Sequence, residues 1–266
     1  MKFNFLKINV VTASLFLILL AGIVPFNTQA ETNNKRALVF VYSEQYPPLS
    51  WLENNTDNGI YIDLVKEIFE KRLNIPVIFK GLPWARAQYE VQNGLADAFI
   101  TTTNAERQQY SDVGKESVVI IKNCLYSSKD HPKIHMFESA KSLNDLKKYK
   151  FIGNRGNKWQ EENLQNMELV FINSRENLLE SLILMRADLW VEMDIVADYT
   201  IRKYTKKNTI VKLKTSLVFP DTTTYLHISK NSKFNNLISE FDKTLTAMKK
   251  DGTYKKILRK YGVHYL

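Results

Sequence analysis

Residues 94–112 read Gly94-Leu-Ala-Asp97-Ala-Phe-Ile-Thr-Thr-Thr-Asn104-Ala-Glu-Arg107-Gln-Gln-Tyr-Ser-Asp112. The apolar run Ala96 to Ile100 has the length and composition of a buried strand, and Gly94 suits the left-handed cap of a preceding helix. The chain leaves that strand through three hydroxyls and an amide, of which Asn104 is a good N-cap for a following helix. Arg107 then stands in the first turn, where the helix dipole favours carboxylates over cations. A guanidinium beside unpaired backbone N–H groups is a natural anion site. The stretch is therefore an element of the fold and the first candidate for function.

Upstream, Ala37-Leu-Val-Phe-Val-Tyr42 reads as a continuous buried strand, closed by the extended turn Tyr46-Pro47-Pro48. Tyr61, Leu64, Val65, Ile68, Phe69 and Leu73 recur at three-and-four spacing, which marks one face of a helix. Val77 to Phe79 is a second strand, Trp84 to Asn93 a second helix and Asp97 to Ile100 a third strand. Strands alternating with helices imply a parallel sheet.

A comparable series recurs downstream: strand Lys150 to Gly153, a helix near Lys158 to Asn166, strand Glu168 to Ile172, helix Ser174 to Arg186 and strand Asp188 to Met193. The two series even share a phrase, Gly94-Leu-Ala-Asp97-Ala-Phe in one and Arg186-Ala-Asp188-Leu-Trp in the other. Two similar α/β lobes follow from that repetition. A last strand, Thr224 to Ile228, and helices over Lys233 to Lys249 and Tyr254 to Lys260 are expected to return to the first lobe, whose own helices are few. Lobe 1 is then residues 31–118 with 224–266 and lobe 2 residues 119–223. The chain crosses between them near 118–122 and again near 217–223, and two thin crossings make a hinge.

Lys2 and Lys7 precede an uncharged apolar run from Ile8 to Phe26, followed by Asn27-Thr28-Gln29-Ala30. That is the pattern of a secretory signal, residues 1–30, cut after Ala30. The alternative is an uncleaved membrane anchor, for which the run is near the lower length limit. Lipid attachment is not expected, since no cysteine stands near the cleavage point. Removing residues 1–30 takes away two lysines and no acid, so the formal charge falls from +9 to +7 over 236 residues. The lysines are dispersed, as on a solvated surface, so nucleic acid is not an expected partner. No later segment is apolar enough to span a bilayer. The single cysteine, Cys124, lies in an apolar run and reads as a core residue. His131 and His135 have a metal-compatible spacing, but Pro132 argues against a helix there, and no metal or cofactor is expected.

The stretches Tyr46-Pro47-Pro48-Leu49-Ser50-Trp51, Gly59-Ile-Tyr-Ile-Asp63-Leu64, Leu82-Pro83-Trp84-Ala85-Arg86-Ala87, Gly94-Leu-Ala-Asp97-Ala, Asn104-Ala-Glu-Arg107, Asp251-Gly252-Thr253-Tyr254 and Lys260-Tyr261-Gly262 carry a resemblance. Together, in this order and spacing, they resemble the bacterial extracellular solute-binding proteins of family 3, the periplasmic components of polar amino-acid ABC transporters. The likeness covers nearly the whole chain after the signal. It implies a type II periplasmic-binding-protein fold with a ligand cleft between the lobes.

It also implies roles for particular residues. Arg107 matches the arginine that holds the ligand's α-carboxylate, and Thr102 the position whose side chain helps. A guanidinium fork grips a carboxylate through two parallel charge-assisted hydrogen bonds, which lysine cannot reproduce. The bland alternative is that Arg107 pairs with Asp112 or Glu106 at the surface. Tyr46, Trp51 and Trp84 lie beyond strand ends, where ligands bind in open sheets, and are candidate apolar walls; each could instead be core. Arg86 reads as a solvated helix residue that could also reach the cleft.

Lobe 2 departs from the family pattern. Gly156 is followed by Asn157 where family members carry Gly-Thr; an amide can still donate and accept. For the acid that meets an α-amino group, counting forward from Asp188 lands on Met193, whereas matching Ile195-Val196-Ala197 lands on Asp194, with Glu192 two residues away. That register stays open.

The expected function is capture of a small polar solute, an amino acid or related carboxylate, by a monomer that delivers it to a membrane permease in the periplasm. Two other classes share the fold: a periplasmic cyclohexadienyl or arogenate dehydratase, and a detached sensory binding protein. No acid–base pair in the sequence points to the enzyme.

Overall fold

The computed structural model describes residues 36–155, 157–205 and 209–263. The signal segment 1–30 and Gly156 lie outside the described residues.

The chain opens with β1 (Leu38–Ser43) and a small antiparallel unit of β2 (Gln45–Tyr46), β3 (Ser50–Glu53) and β4 (Thr56–Asn58). Helix α1 (Ile60–Val65) runs on as a π-helix over Lys66–Arg72. Then come β5 (Val77–Leu82), α2 (Trp84–Gln92), β6 (Ala98–Thr101), α3 (Ala105–Tyr110) and β7 (Ser111–Val113). Beyond β8 (Val119–Ile121) lie β9 (Asn123–Ser128) and α4 (Ile134–Ser139). The second series is β10 (Lys150–Asn154), α5 (Lys158–Asn163), β11 (Glu168–Ile172), α6 (Arg175–Ile183), β12 (Leu189–Met193), α7 (Asp194–Tyr204) and β13 (Ile210–Lys212). The chain closes with β14 (Thr222–Ser229), α8 (Ile238–Asp251) and α9 (Thr253–Lys260).

Two main sheets result, ordered β5-β1-β6-β14-β7 and β11-β10-β12-β9-β13. β1 pairs parallel with β5 and β6, and β10 pairs parallel with β11 and β12, as alternating strands and helices require. Each sheet is nonetheless mixed. β14 joins the first sheet antiparallel to β6 and β7, and β9 joins the second antiparallel to β12 and β13. The reason lies in the connections: β9 enters and β14 leaves without the helical crossover that makes neighbours parallel. Before it reaches β6, β14 pairs with β8 through Thr222↔Ile121, Thr223↔Ile120 and Thr224↔Val119.

Both sheets are covered on two faces, and period-two side chains divide the core accordingly. Leu38, Phe40 and Tyr42 join α1 and the closing helices through Ile62, Leu64, Phe241, Leu245 and Leu258. Val41 packs the other way, with Ala87 and Val91 of α2. In the second sheet Leu189 and Val191 meet Phe137 and Phe151, while Trp190 meets Leu178, Leu182 and Ala197. The closing helices therefore cover the first sheet.

The shared phrase has a structural cause. Asp97 accepts from Val39 N at 2.8 Å and from Ser232 Oγ at 2.7 Å, and its own N–H reaches Val39 O. Asp188 makes the same clasp with Lys150, accepting from its N at 2.7 Å, and His131 Nε2 lies 2.9 Å from its other oxygen. Each aspartate locks the start of one strand to its neighbour in the same sheet. Asp97→Ala strands a buried N–H and loses charge-assisted bonds, and is expected to cost about 3 kcal/mol. Urea unfolding checks this; a loss below about 0.5 kcal/mol would mean that the clasp adds nothing beyond an ordinary surface contact.

The three-stranded unit was not expected from the sequence. Glu53 pairs with Thr56 across Asn54 and Asn55, both at positive φ (51° and 57°), the conformation of a type I′ hairpin turn. The Asn-Asn pair was the available signal. Helix ends also differ. The helix expected over Ser174 to Arg186 stops at Ile183, just before Met185 turns to φ 52°. That expected from Lys233 starts at Ile238, after a 3-10 turn over Asn235–Leu237. Among the described residues no helix is long and apolar enough to cross a membrane.

Candidate functional site

The C-terminal ends of β1, β5 and β6 carry the first group of candidates. Asn104 caps α3 as expected from its type, its side chain accepting from Arg107 N at 2.8 Å. That cap aims Arg107 back along the loop it follows. Nη1 donates to Thr102 O at 2.8 Å and to Thr102 Oγ1 at 2.9 Å. Nε and Nη2 both donate to Gln88 Oε1, at 3.2 and 3.0 Å. Beneath lies Trp84, the first residue of α2, with its ring centre 5.7 Å from Arg107 Cζ. Trp84 in turn meets Phe99 edge-on at 5.7 Å.

All four of these contacts of Arg107 are thus to neutral oxygens, and among the described residues no carboxylate lies within ion-pair distance of it. Asp112, a possible surface partner, instead accepts from Asn235 Nδ2 at 2.6 Å. Burial pulls the guanidinium below its ordinary pKa, partly offset by Tyr110 and Glu106. A half-buried cation without a counter-ion is an unsatisfied demand for an anion.

Sequence reasoning missed what stands behind this group. His227 of β14 is fully buried, stacked on Phe99 at 5.3 Å. Its Nδ1 lies 3.0 Å from Ser111 Oγ and its Nε2 3.3 Å from Thr103 Oγ1, so the ring bridges the two ends of the α3 segment. Ser111 donates its one hydroxyl hydrogen to Arg107 O at 2.8 Å, which assigns the imidazole proton to Nδ1 and makes Nε2 an acceptor. Burial, then the Arg107 charge, holds His227 down to about 4. A polar residue in the apolar strand Thr224 to Ile228 was the only hint. Gln88 was equally legible in principle, one helical turn after Trp84.

A second group gathers at the end of β12. Tyr46 O–H donates to Met193 Sδ at 3.5 Å, linking the small three-stranded unit to the second main sheet. Its phenol is raised by burial and then by the charge of Glu192. Glu192 is 3 % exposed and accepts from Met193 N at 2.9 Å; burial raises it, against Arg175 nearby. Arg175 donates to Thr200 Oγ1 at 3.1 Å.

Asp194 points elsewhere. As the first residue of α7 it accepts from Ile195 N at 2.8 Å, and its other oxygen lies 3.9 Å from Lys212 Nζ. Of the three positions left open by the sequence, Glu192 and Met193 therefore lie with Tyr46 and Asp194 with Lys212. Trp51 is not with Arg107 either. Its ring meets Tyr199 of α7 at 5.8 Å and Tyr261 at 6.0 Å. Asn157 caps α5, accepting from Gln160 N at 3.2 Å.

Several solved structures share this architecture. A histidine kinase sensor domain similar to periplasmic binding proteins has a TM-score of 0.67 at 20% identity, covering 87% of this chain and 98% of that one. An ancestral cationic amino-acid solute-binding protein gives 0.66 at 24%, covering 85% and 95%. An amino-acid ABC transporter substrate-binding protein from Streptococcus pneumoniae, bound to L-arginine, gives 0.65 at 21%, covering 85% and 94%. At these identities the likeness is one of fold. No curated relative matches the chain. The model of one family, however, matches residues 38–264, almost all of the chain described above. The chain belongs to the bacterial extracellular solute-binding proteins, family 3.

Proposed function

We propose that this protein is the solute-receiving component of an ABC uptake system, taking a small polar carboxylate, most simply an amino acid, between its two sheets. The observation that carries the reading is Arg107: a guanidinium at a strand end, held by neutral acceptors and without an acid partner among the described residues. Thr102, Trp84 and Tyr46 belong to that side, and Glu192 belongs to the opposing one. Lobe 1 is residues 31–118 with 224–266, lobe 2 is 119–223, and the paired segments β8 and β14 serve as the hinge. Closure of the lobes excludes water and strengthens each polar contact, a recognised switching mode for which periplasmic binding proteins are the standing example. Residues 1–30 direct export and are removed, and the monomer works in the periplasm with a membrane permease as partner.

A dehydratase has less support. Glu192 accepts from Met193 N, while Asp194 accepts from Ile195 N and faces Lys212, so the two carboxylates are not assembled as an acid–base pair. Incubation with prephenate, followed by phenylpyruvate absorbance, is expected to give no product. The binding reading is tested by mass spectrometry of the solute that co-purifies with the protein, then a thermal-shift panel of amino acids and organic acids. A bound carboxylate that raises the unfolding midpoint is the expected result. A site that responds only to neutral solutes would sink it.

A further inference from the structure

We propose that Gln88 is a ligand-exchangeable place-holder on Arg107, and that it makes the site select an ionised acid over its neutral amide or ester. The proposal rests on the reading of Arg107 as a carboxylate holder. The guanidinium has five N–H groups. Thr102 takes Nη1 with two oxygens, and Gln88 Oε1 takes Nε and one hydrogen of Nη2 with a single oxygen. The Nε/Nη2 edge is the one on which a carboxylate would sit in a fork-to-fork pair. Gln88 already occupies it with the acceptor of a neutral amide.

The exchange has a clear direction. A carboxylate that displaces Gln88 keeps both N–H donors occupied and adds the attraction between opposite charges in a partly desolvated site, which a neutral amide oxygen cannot supply. A ligand amide or ester brings an acceptor no stronger than the one it must remove, and gains nothing. Gln88 also has no competing anchor of its own: Arg107 is its only side-chain partner among the described residues, and it is half-buried on α2, a turn beyond Trp84. Once displaced, its amide N–H groups are free to donate to the bound acid. Thr102 cannot play this part, because its backbone oxygen is fixed by the loop.

The test uses p-hydroxyphenylglyoxal, which modifies accessible guanidinium groups, with modification at Arg107 read by peptide mass spectrometry. It is applied to the full-length mature protein and to Gln88→Ala and Gln88→Glu, each checked for an unchanged unfolding midpoint. Gln88→Ala is expected to speed modification of Arg107 about fivefold and Gln88→Glu to slow it below the parent rate, since a single net hydrogen bond is worth up to roughly tenfold. Equal rates in all three proteins would overturn the proposal without any ligand being needed. Acetate and acetamide at matched ionic strength are the probes for selection. Acetate is expected to protect Arg107 in the parent and at several-fold lower concentration in Gln88→Ala, while acetamide protects only in Gln88→Ala. Equal protection of the parent by acetate and acetamide would overturn the selectivity. If the rate pattern of the variants holds but acetate protects none of them, Arg107 is not a carboxylate site and the functional reading fails, while the Gln88 contact stands.

Discussion

Replacement of Arg107 by alanine is expected to weaken binding of the co-purifying carboxylate by about 3 kcal/mol or more, roughly 100-fold. Two charge-assisted bonds disappear, and the ligand's acid is left in a closed site without its counter-charge. Arg107→Lys keeps a positive charge but not the fork, so it should recover only part of the loss. Titration calorimetry on the three proteins gives the answer. Near-equal affinities for parent and alanine variant would remove the basis of the proposed function. The folded state should change little, because Arg107, Thr102 and Gln88 are all only half-buried and water can reach the oxygens left behind.

Acidification from pH 6.5 to pH 4 is expected to cost the fold about 3 kcal/mol through His227 alone. The ring is neutral in the folded protein down to about 4, held there by burial and then by Arg107. In the unfolded chain it titrates near 6.5. Between those values the unfolded state binds the extra proton, so stability rises with pH, is complete above about 6.5, and loses nothing further from this group below about 4. Protonation would also give Nε2 a hydrogen where Thr103 now donates, and place a second cation behind Arg107. Buried Glu192 and half-buried Asp198 act in the opposite sense, since burial raises both. Asp251, held at about 2 by Thr253 and Arg72, acts only at lower pH. The measurement is therefore a difference: urea unfolding of parent and His227→Gln at pH 7, 5.5 and 4.5. Between pH 7 and 4.5 the variant's curve should be flatter by about 2.5 kcal/mol. Parallel curves would show that the buried imidazole does not titrate as described.

Much of the architecture was legible because it follows from periodicities. The alternation of Leu38, Phe40 and Tyr42 with Val39 and Val41, and the three-and-four spacing of Tyr61, Leu64, Val65 and Ile68, specify elements covered on definite faces. The repeated alanine–aspartate phrase was visible, and its cause, the clasps of Asp97 on Val39 and Asp188 on Lys150, required coordinates. The antiparallel entries of β9 and β14 were hidden because short apolar strands carry no direction in their composition. At the candidate site Arg107 was marked by a cation in a first turn, an inconsistency with local electrostatics that a single sequence can display. The question of Glu192, Met193 or Asp194 could not be answered that way. A strand end that turns straight into a helix changes the period from two to 3.6 within one residue, and only packing tells where each side chain then points.

The residues alone marked the alternating strands and helices of the two repeated series and the one arginine that stands where anions are preferred, since these depend on neighbours within a few positions. Tertiary structure decided that His227 ties Thr103 to Ser111 behind Arg107, that Gln88 covers its Nε/Nη2 edge, and that Tyr46 meets Met193. Those pairs lie 124, 116, 19 and 147 positions apart for His227–Thr103, His227–Ser111, Arg107–Gln88 and Tyr46–Met193. A hydrogen bond depends on distance in space and on direction, neither of which is written in sequence separation.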